Sequence, residues 1–343
     1  MNLYEKMEQG VYVIAEMSAN HGGKLSNALK IVEEAAKAGA DCVKIQTYTA
    51  DTLTINCTKE PYIIRGGLWD GYNYYQLYQE ASTPWEWQQT IEEKCHEVGV
   101  DFLSTPFDPT AVDFLEGLGV EFYKIASFEL VDIPLIEYVA SKGKPIIMSV
   151  GMGSVEEITE ALDACKRQGN EQVVLLKCCS QYPAQYEDMN LSVIRDMRER
   201  FQVPVGLSDH SFGSLAPIVA VSMGAKVIEK HVCLTRDMET PDSGFSMEMS
   251  EFAKMVEDVR NAAVIAGKPT YELTENEKNG LGGRRSLVAV QPIQKGEAFT
   301  KENVRSIRPG IGIPPKYYHT LLTRKAGKDY AFGDPIVMSE LER

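Results

Sequence analysis

Over its first 265 residues the chain alternates between short apolar, β-branched runs and longer amphipathic segments, and no other feature restricts the fold as strongly. Eight such runs stand out: "VYVIAEMS", "DCVKIQTY", "VDFLSTP", "EFYKIAS", "KPIIMSV", "QVVLLKCC", "VPVGLSD" and "KVIEKHV". Helical patterns lie between them. "SNALKIVEEAAKAGA" opens on Ser26 and "SVEEITEALDACKRQG" on Ser154, both suited to an N-cap, and each ends beside a glycine. Eight strand-helix units in about 250 residues is the count and size of a (β/α)8 TIM barrel, and continuously apolar strands suit a parallel sheet buried on both faces. The alternative, an open doubly wound sheet, is disfavoured because no G-x-G-x-x-G follows the first strand.

The second unit carries a long insertion, residues 49–87, rich in tyrosine and tryptophan and too aromatic for a disordered segment; a lid or pocket wall is expected. Three divisions follow from composition: a catalytic barrel over 1–265, a polar, glycine-rich linker over 266–283, and a small, mostly β module over 284–343.

A net charge of -14 argues against a nucleic-acid surface and means that an anionic ligand needs a locally basic pocket. No apolar run approaches the roughly 20 residues of a membrane helix. The opening "MNLYEKMEQGVYVIAEMS" does not read as a signal peptide, and seven scattered cysteines fit reduced thiols, so a cytoplasmic location is expected. Cys178 and Cys179, adjacent in an apolar run, read as strand packing.

Barrel chemistry sits at the C-terminal strand ends, so the polar residues closing each run are the candidates. Strand one offers Glu16 and "SANH", strand two Lys44 and Gln46, strand three Thr105, and strand four Lys124, Ser127 and Glu129. Strands five to eight add Ser149; Ser180 and Tyr182; Ser208, Asp209 and His210; and Glu229, Lys230 and His231. Two lysines among hydroxyls suit a small dianion bearing phosphate and carboxylate. His210 and His231 close neighbouring strands, close enough to share one divalent ion of the Mn, Co, Mg or Fe class, a Lewis acid for a carbonyl. Either histidine alone reads equally well as a satisfied core residue. Closed-site zinc spacing is absent.

"IAEMSANHGG", "KIQTYTADTL", "STPFD", "YKIAS", "YPAQY", "GLSDHS", "IEKHV" and "RPGIGIPP", in this order along nearly the whole chain, resemble the sialic acid synthases. The C-terminal module resembles that family's antifreeze-like (SAF) domain. The resemblance implies condensation of phosphoenolpyruvate with an open-chain acetamido sugar to a nine-carbon 2-keto acid and phosphate, with a divalent metal (Mn, Co or Mg). The insertion "GGLWDGYNYYQLYQEASTPWEW" and the later "DSGFSME" point within the family to 2,4-diacetamido-2,4,6-trideoxy-altropyranose as the sugar. The neuraminate branch has Asn where this chain has Ser180, and "INHEG" where it has "ANHGG".

By motif, the resemblance implies Lys44, Thr105, Lys124 and Ser127 around the phosphate, and Ser149, Ser180 and Ser208 near the carboxylate. His210 and His231 become metal ligands, Glu16 and Glu129 the acidic groups at the reacting carbons, and Tyr182 and Asp242 sugar-side residues. Arg308 corresponds to an arginine lent by the partner subunit in a domain-swapped homodimer. A metal-dependent aldolase using free pyruvate and a carbohydrate- or ice-binding protein with a degenerate barrel are the competing readings.

Overall fold

The eight apolar runs become eight parallel strands whose alternate residues face two different cores. They are β1 (Tyr12–Glu16), β2 (Cys42–Thr47), β3 (Asp101–Pro106), β4 (Tyr123–Ile125), β5 (Ile146–Ser149), β6 (Val173–Cys178), β7 (Val205–Asp209) and β8 (Val227–Cys233) in a computed structural model that describes residues 1–342. They hydrogen-bond in the order β3-β2-β1-β8-β7-β6-β5-β4, with β3 and β4 side by side, so the sheet curls into a nearly closed barrel. A short strand β9 (Met247–Glu248) adds to the end of β8.

One set of alternate residues, with Tyr12, Ile14, Cys42, Leu103, Phe122, Ile147, Val174, Leu176 and Val227, fills the barrel interior. The helix Leu3–Gln9 plugs the floor by placing Leu3 and Met7 against that set. The other set, with Val13, Ala15, Val43, Ile45, Ile125, Met148 and Leu207, packs against the surrounding helices. Because side chains alternate along a strand, the interior set continues upward from apolar residues to Glu16, Lys44, Thr105, Lys124, Ser149, Ser208, Glu229 and His231.

Local sequence sets the helix starts. Ser154 forms a capping box with Glu157, and Asp108 accepts from the backbone N–H groups of Thr110 and Ala111 ahead of Pro109. Ser26 does not cap: its helix begins at Leu25, with Lys24 at the N-cap and no side-chain cap. Entry is fixed instead by the 3-10 turn Ser18–His21, whose last carbonyl accepts from Lys24 N at 3.2 Å and from Asn27 Nδ2 at 3.1 Å. The insertion contains the helices Ala50–Leu53 and Tyr74–Ala81, and its terminal "WEW" opens the helix Trp85–Val98.

The chain divides into two compact units, Met1–Gly267 and Lys268–Arg343. The second begins with a segment that includes the short helix Glu275–Asn279, capped by Thr274. Antiparallel strands β10 (Ser286–Ala289) and β11 (Val304–Ile307) then pack over a core including Leu287, Ile293, Phe299, Leu321, Tyr330 and Ile336. All seven cysteines are free thiols, and among the described residues no helix is long and apolar enough to cross a membrane.

Candidate active site

The interior set ends, at the C-terminal mouth, in a buried network of alternating charge. Lys44 Nζ lies 2.7 Å from Glu16 Oε2 and 3.8 Å from Glu229 Oε1, and donates to Thr105 Oγ1 at 3.2 Å. Lys124 Nζ donates to Ser149 Oγ at 2.7 Å and stands 3.9 Å from the same Glu229 oxygen, to which Ser208 Oγ donates at 3.0 Å. Gln46 donates to both Glu16 Oε1 and Ser18 Oγ. Strands β2 and β4, separated by β3, thus present the two ammonium groups on either side of one carboxylate from β8, a cradle for an anion.

Environment separates the protonation states. Burial alone would lower the Lys44 ammonium, but Glu16 and Glu229 outweigh it and hold the group charged. Lys124 is lowered by burial, with Glu229 offsetting only part of the loss. Burial disfavours the Glu229 carboxylate, yet Lys124 and Lys44 keep it below its usual range. Glu16 goes the other way: its complete burial outweighs Lys44 and raises it. Glu129, just beyond β4, is raised by burial from 4.5 to about 7, and its Oε2 is buried without a partner. A carboxyl that titrates near neutrality can both give and take a proton.

His210 and His231 converge, with ring centroids 5.2 Å apart. His210 Nδ1 lies 3.0 Å from the Cys179 carbonyl, which only accepts, so Nδ1 carries a proton. Burial opposes charge on this ring, but Cys178 and that carbonyl outweigh it and raise its pKa, and whenever the ring is neutral Nε2 holds the lone pair. The His231 Nδ1 is buried with no partner, and burial with the neighbouring His210 holds this ring neutral. An orphaned imidazole nitrogen facing a second imidazole fits a divalent ion. Among the described residues no group of three His, Cys, Asp or Glu could hold a metal, so such an ion would take the rest of its shell from water and substrate oxygens.

Cys178 is more than strand packing. Its Sγ lies 3.8 Å from His210 Nδ1, and although burial would raise the thiol, that neighbour draws it down to about 7. Ser127 Oγ accepts from Gly151 N at 3.1 Å, and Ser180 Oγ lies 3.7 Å from Cys178 Sγ. Gly151 is what allows this crowding: a Cβ there would stand 2.4 Å from Ser180 Oγ and 2.8 Å from Ser127 Oγ. Tyr182 stacks 4.3 Å from the His210 ring, while Asp242, raised by burial, accepts from Ala19 N at 3.2 Å. Arg308 lies in the second unit, exposed just after β11.

A model of the NeuB family matches residues 31–271 of this sequence, which is more than half of its length. The chain belongs to the NeuB family. Residues 284–342 match the SAF domain, the small module whose core is formed around β10 and β11. Among NeuB relatives, the pseudaminic acid synthase of Campylobacter jejuni is 46% identical over 335 residues, covering 98% of each chain. The pseudaminic acid synthase of Helicobacter pylori is 42% identical, covering 98% of this chain and 99% of its own. The crystal structure of N-acetylneuraminic acid synthetase from Leptospira borgpetersenii, in complex with citrate, superposes with a TM-score of 0.71 at 32% identity, covering 79% of this chain and 90% of that one.

Within this NeuB barrel, sequence reasoning collected Glu229 as a strand-end residue but gave it no role. Its parity with His231 two residues on is the signal that puts it inside. Asp209 and Lys230 were collected with it, yet both have the opposite parity and turn away from the interior. They form a buried pair, Lys230 Nζ to Asp209 Oδ2 at 2.6 Å, and Lys230 also donates to the Ser211 carbonyl. Trp69 and Phe245, in the quoted motifs, also reach the site.

Proposed function

We propose that the chain is a pseudaminic acid synthase. It condenses phosphoenolpyruvate with 2,4-diacetamido-2,4,6-trideoxy-beta-L-altropyranose and water, giving pseudaminic acid and phosphate. The observation that carries this reading is the Lys44/Lys124 cradle beside the converging His210 and His231, in a chain 42 to 46% identical to two pseudaminic acid synthases along nearly its full length.

In this reading Lys44, Thr105, Lys124 and Ser127 hold the phosphate, and Ser149, Ser180 and Ser208 hold the carboxylate end. The methylene carbon of phosphoenolpyruvate forms the new bond to the aldehyde carbon of the open-chain sugar, whose oxygen becomes a hydroxyl. Water adds to the electron-poor enol carbon, and the bond from that carbon to the phosphate oxygen then breaks. Glu129 takes the water proton, a role supported by its titration near 7. Glu16, buried beside Lys44, carries negative charge toward the carbon that becomes positive. Tyr182 and Asp242 hold the sugar. His210 and His231 would hold a divalent ion such as Mn, Co or Mg, which when bound supplies Lewis acidity to the sugar carbonyl.

The domain division 1–265, 266–283 and 284–343 goes with this reading, as does a domain-swapped homodimer in which Arg308 serves the partner's sugar pocket. Support for the dimer comes from Phe128, Val131, Met152, Phe212 and Leu215, which follow β4, β5 and β7 and are 50 to 66% exposed. The SAF unit exposes Ile311 and Phe332. A cytoplasmic location is supported by seven free thiols. Phosphate release, measured over a panel of acetamido sugars with and without Mn, tests the reaction. The 2,4-diacetamido-6-deoxy sugar should be preferred. Preference for N-acetylmannosamine or for the legionaminate precursor would move the chain to a related synthase, and condensation with free pyruvate would replace the reaction altogether.

A further inference from the structure

The aromatic insertion is held in one shape and delivered onto the site. Ile64 N donates to the Tyr72 carbonyl at 2.8 Å and Gly71 N to the Ile64 carbonyl at 2.9 Å, closing a small hairpin. Inside it Gly66, Gly67 and Gly71 have φ of 76°, 76° and 83°, the left-handed region that favours glycine. Its tip meets the loop after β8: Trp69 Nε1 donates to the Pro241 carbonyl at 3.0 Å, and its ring stands 5.4 Å from that of Tyr182. Tyr182 lies 4.3 Å from His210 and 5.2 Å from Phe245, which is 4.9 Å from His231. A continuous aromatic surface therefore runs from the histidine pair to Trp69.

That surface is chemically selective. The indole has one donor, and Pro241 consumes it, so Trp69 and Phe245 offer only carbon. Polar recognition comes from Asp242, between Pro241 and Phe245 on the same loop. An open six-carbon chain with its aldehyde at the histidines would bring its far end toward Trp69 if it followed this surface past Tyr182. We infer that Trp69, packed against Tyr182, is a specificity-determining residue that takes the methyl terminus of a 6-deoxy acceptor in preference to a hydroxymethyl group. The inference rests on the acceptor proposed above and names the residue that reads the missing oxygen. An apolar pocket distinguishes such pairs by about 10- to 100-fold.

Steady-state kinetics of wild type, Trp69→Ala and Trp69→Phe should be compared on the 6-deoxy diacetamido sugar and on its 6-hydroxy counterpart. Trp69→Ala should lose about 10-fold or more in kcat/KM on the deoxy sugar and less than about 3-fold on the hydroxy sugar. Its KM for phosphoenolpyruvate should stay within about twofold, and Trp69→Phe should keep most of the preference. An equal fall on both sugars, an unchanged ratio, or a parallel rise in the phosphoenolpyruvate KM would overturn the inference alone. A wild-type enzyme that releases phosphate with neither sugar would overturn the acceptor reading and this inference with it.

Discussion

Replacing Lys230 with methionine should destabilise the barrel severely while leaving every inward-facing group in place. Lys230 and Asp209 are 1% and 0% exposed, 2.6 Å apart, and join β8 to β7 on the face that packs against helices. Asp209 Oδ1 accepts from Ser211 N at 2.9 Å and Ser211 Oγ at 2.8 Å, so after Lys230→Met only one carboxylate oxygen keeps its donors. A buried charge stripped of its partner costs about 3–5 kcal/mol. At about 2–4 °C per kcal/mol for a domain of this size, the unfolding midpoint of the barrel should fall by roughly 10 °C. The double variant Asp209→Asn/Lys230→Met removes both charges and should recover about 2 kcal/mol or more. Calorimetry at constant pH reads both. A single variant within about 1 kcal/mol of wild type, or a double variant no better than the single, would refute the reasoning.

Glu129 should make both rate and stability depend on pH. Its carboxyl is raised from 4.5 to about 7, so between those values the folded chain binds more proton than the unfolded one, and stability falls as pH rises across that window, by roughly 3 kcal/mol. Glu129→Gln should flatten the loss and remove the limb near pH 7 from the kcat profile; an unchanged limb would assign it to another group. Gly151→Ala would set a methyl group against Ser127 and Ser180, raising the phosphoenolpyruvate KM about 10-fold with about 1–3 kcal/mol of destabilisation; an unaltered KM would detach that crowding from substrate binding. Mixing Arg308→Ala chains with chains inactivated at Lys124 should restore activity if sites are shared between subunits, and proven mixed dimers without activity would count against sharing.

The strand positions were legible because burial on both sides of a parallel sheet demands continuous apolar runs, and eight of them allow few closures. The inward lysines and histidines were legible because they interrupt those runs with charge at the same height. What could not be read was direction. "SDH" and "EKH" each place two polar residues before a histidine, and once the histidines are known to face inward, parity turns Asp209 and Lys230, partners across β7 and β8, outward. Ser26 failed as a cap for a similar reason: a helix start is set by whatever precedes it, and here a 3-10 turn held by tertiary packing supplies the entry.

Parity therefore divides the labour of β7 and β8 residue by residue. Ser208, His210, Glu229 and His231 face the interior, where charge is left available to a substrate. Asp209 and Lys230 face the helices, where charge is spent on one another. A ligand can compete for Lys124 because it meets Glu229 only at 3.9 Å, beyond hydrogen-bond contact, while Lys44 meets Glu229 at 3.8 Å and keeps Glu16 at 2.7 Å. No ligand can compete for Lys230, whose partner is in contact and whose surroundings are closed. The same residue type thus serves binding on one face of the sheet and rigidity on the other, and the face a lysine takes separates the two roles.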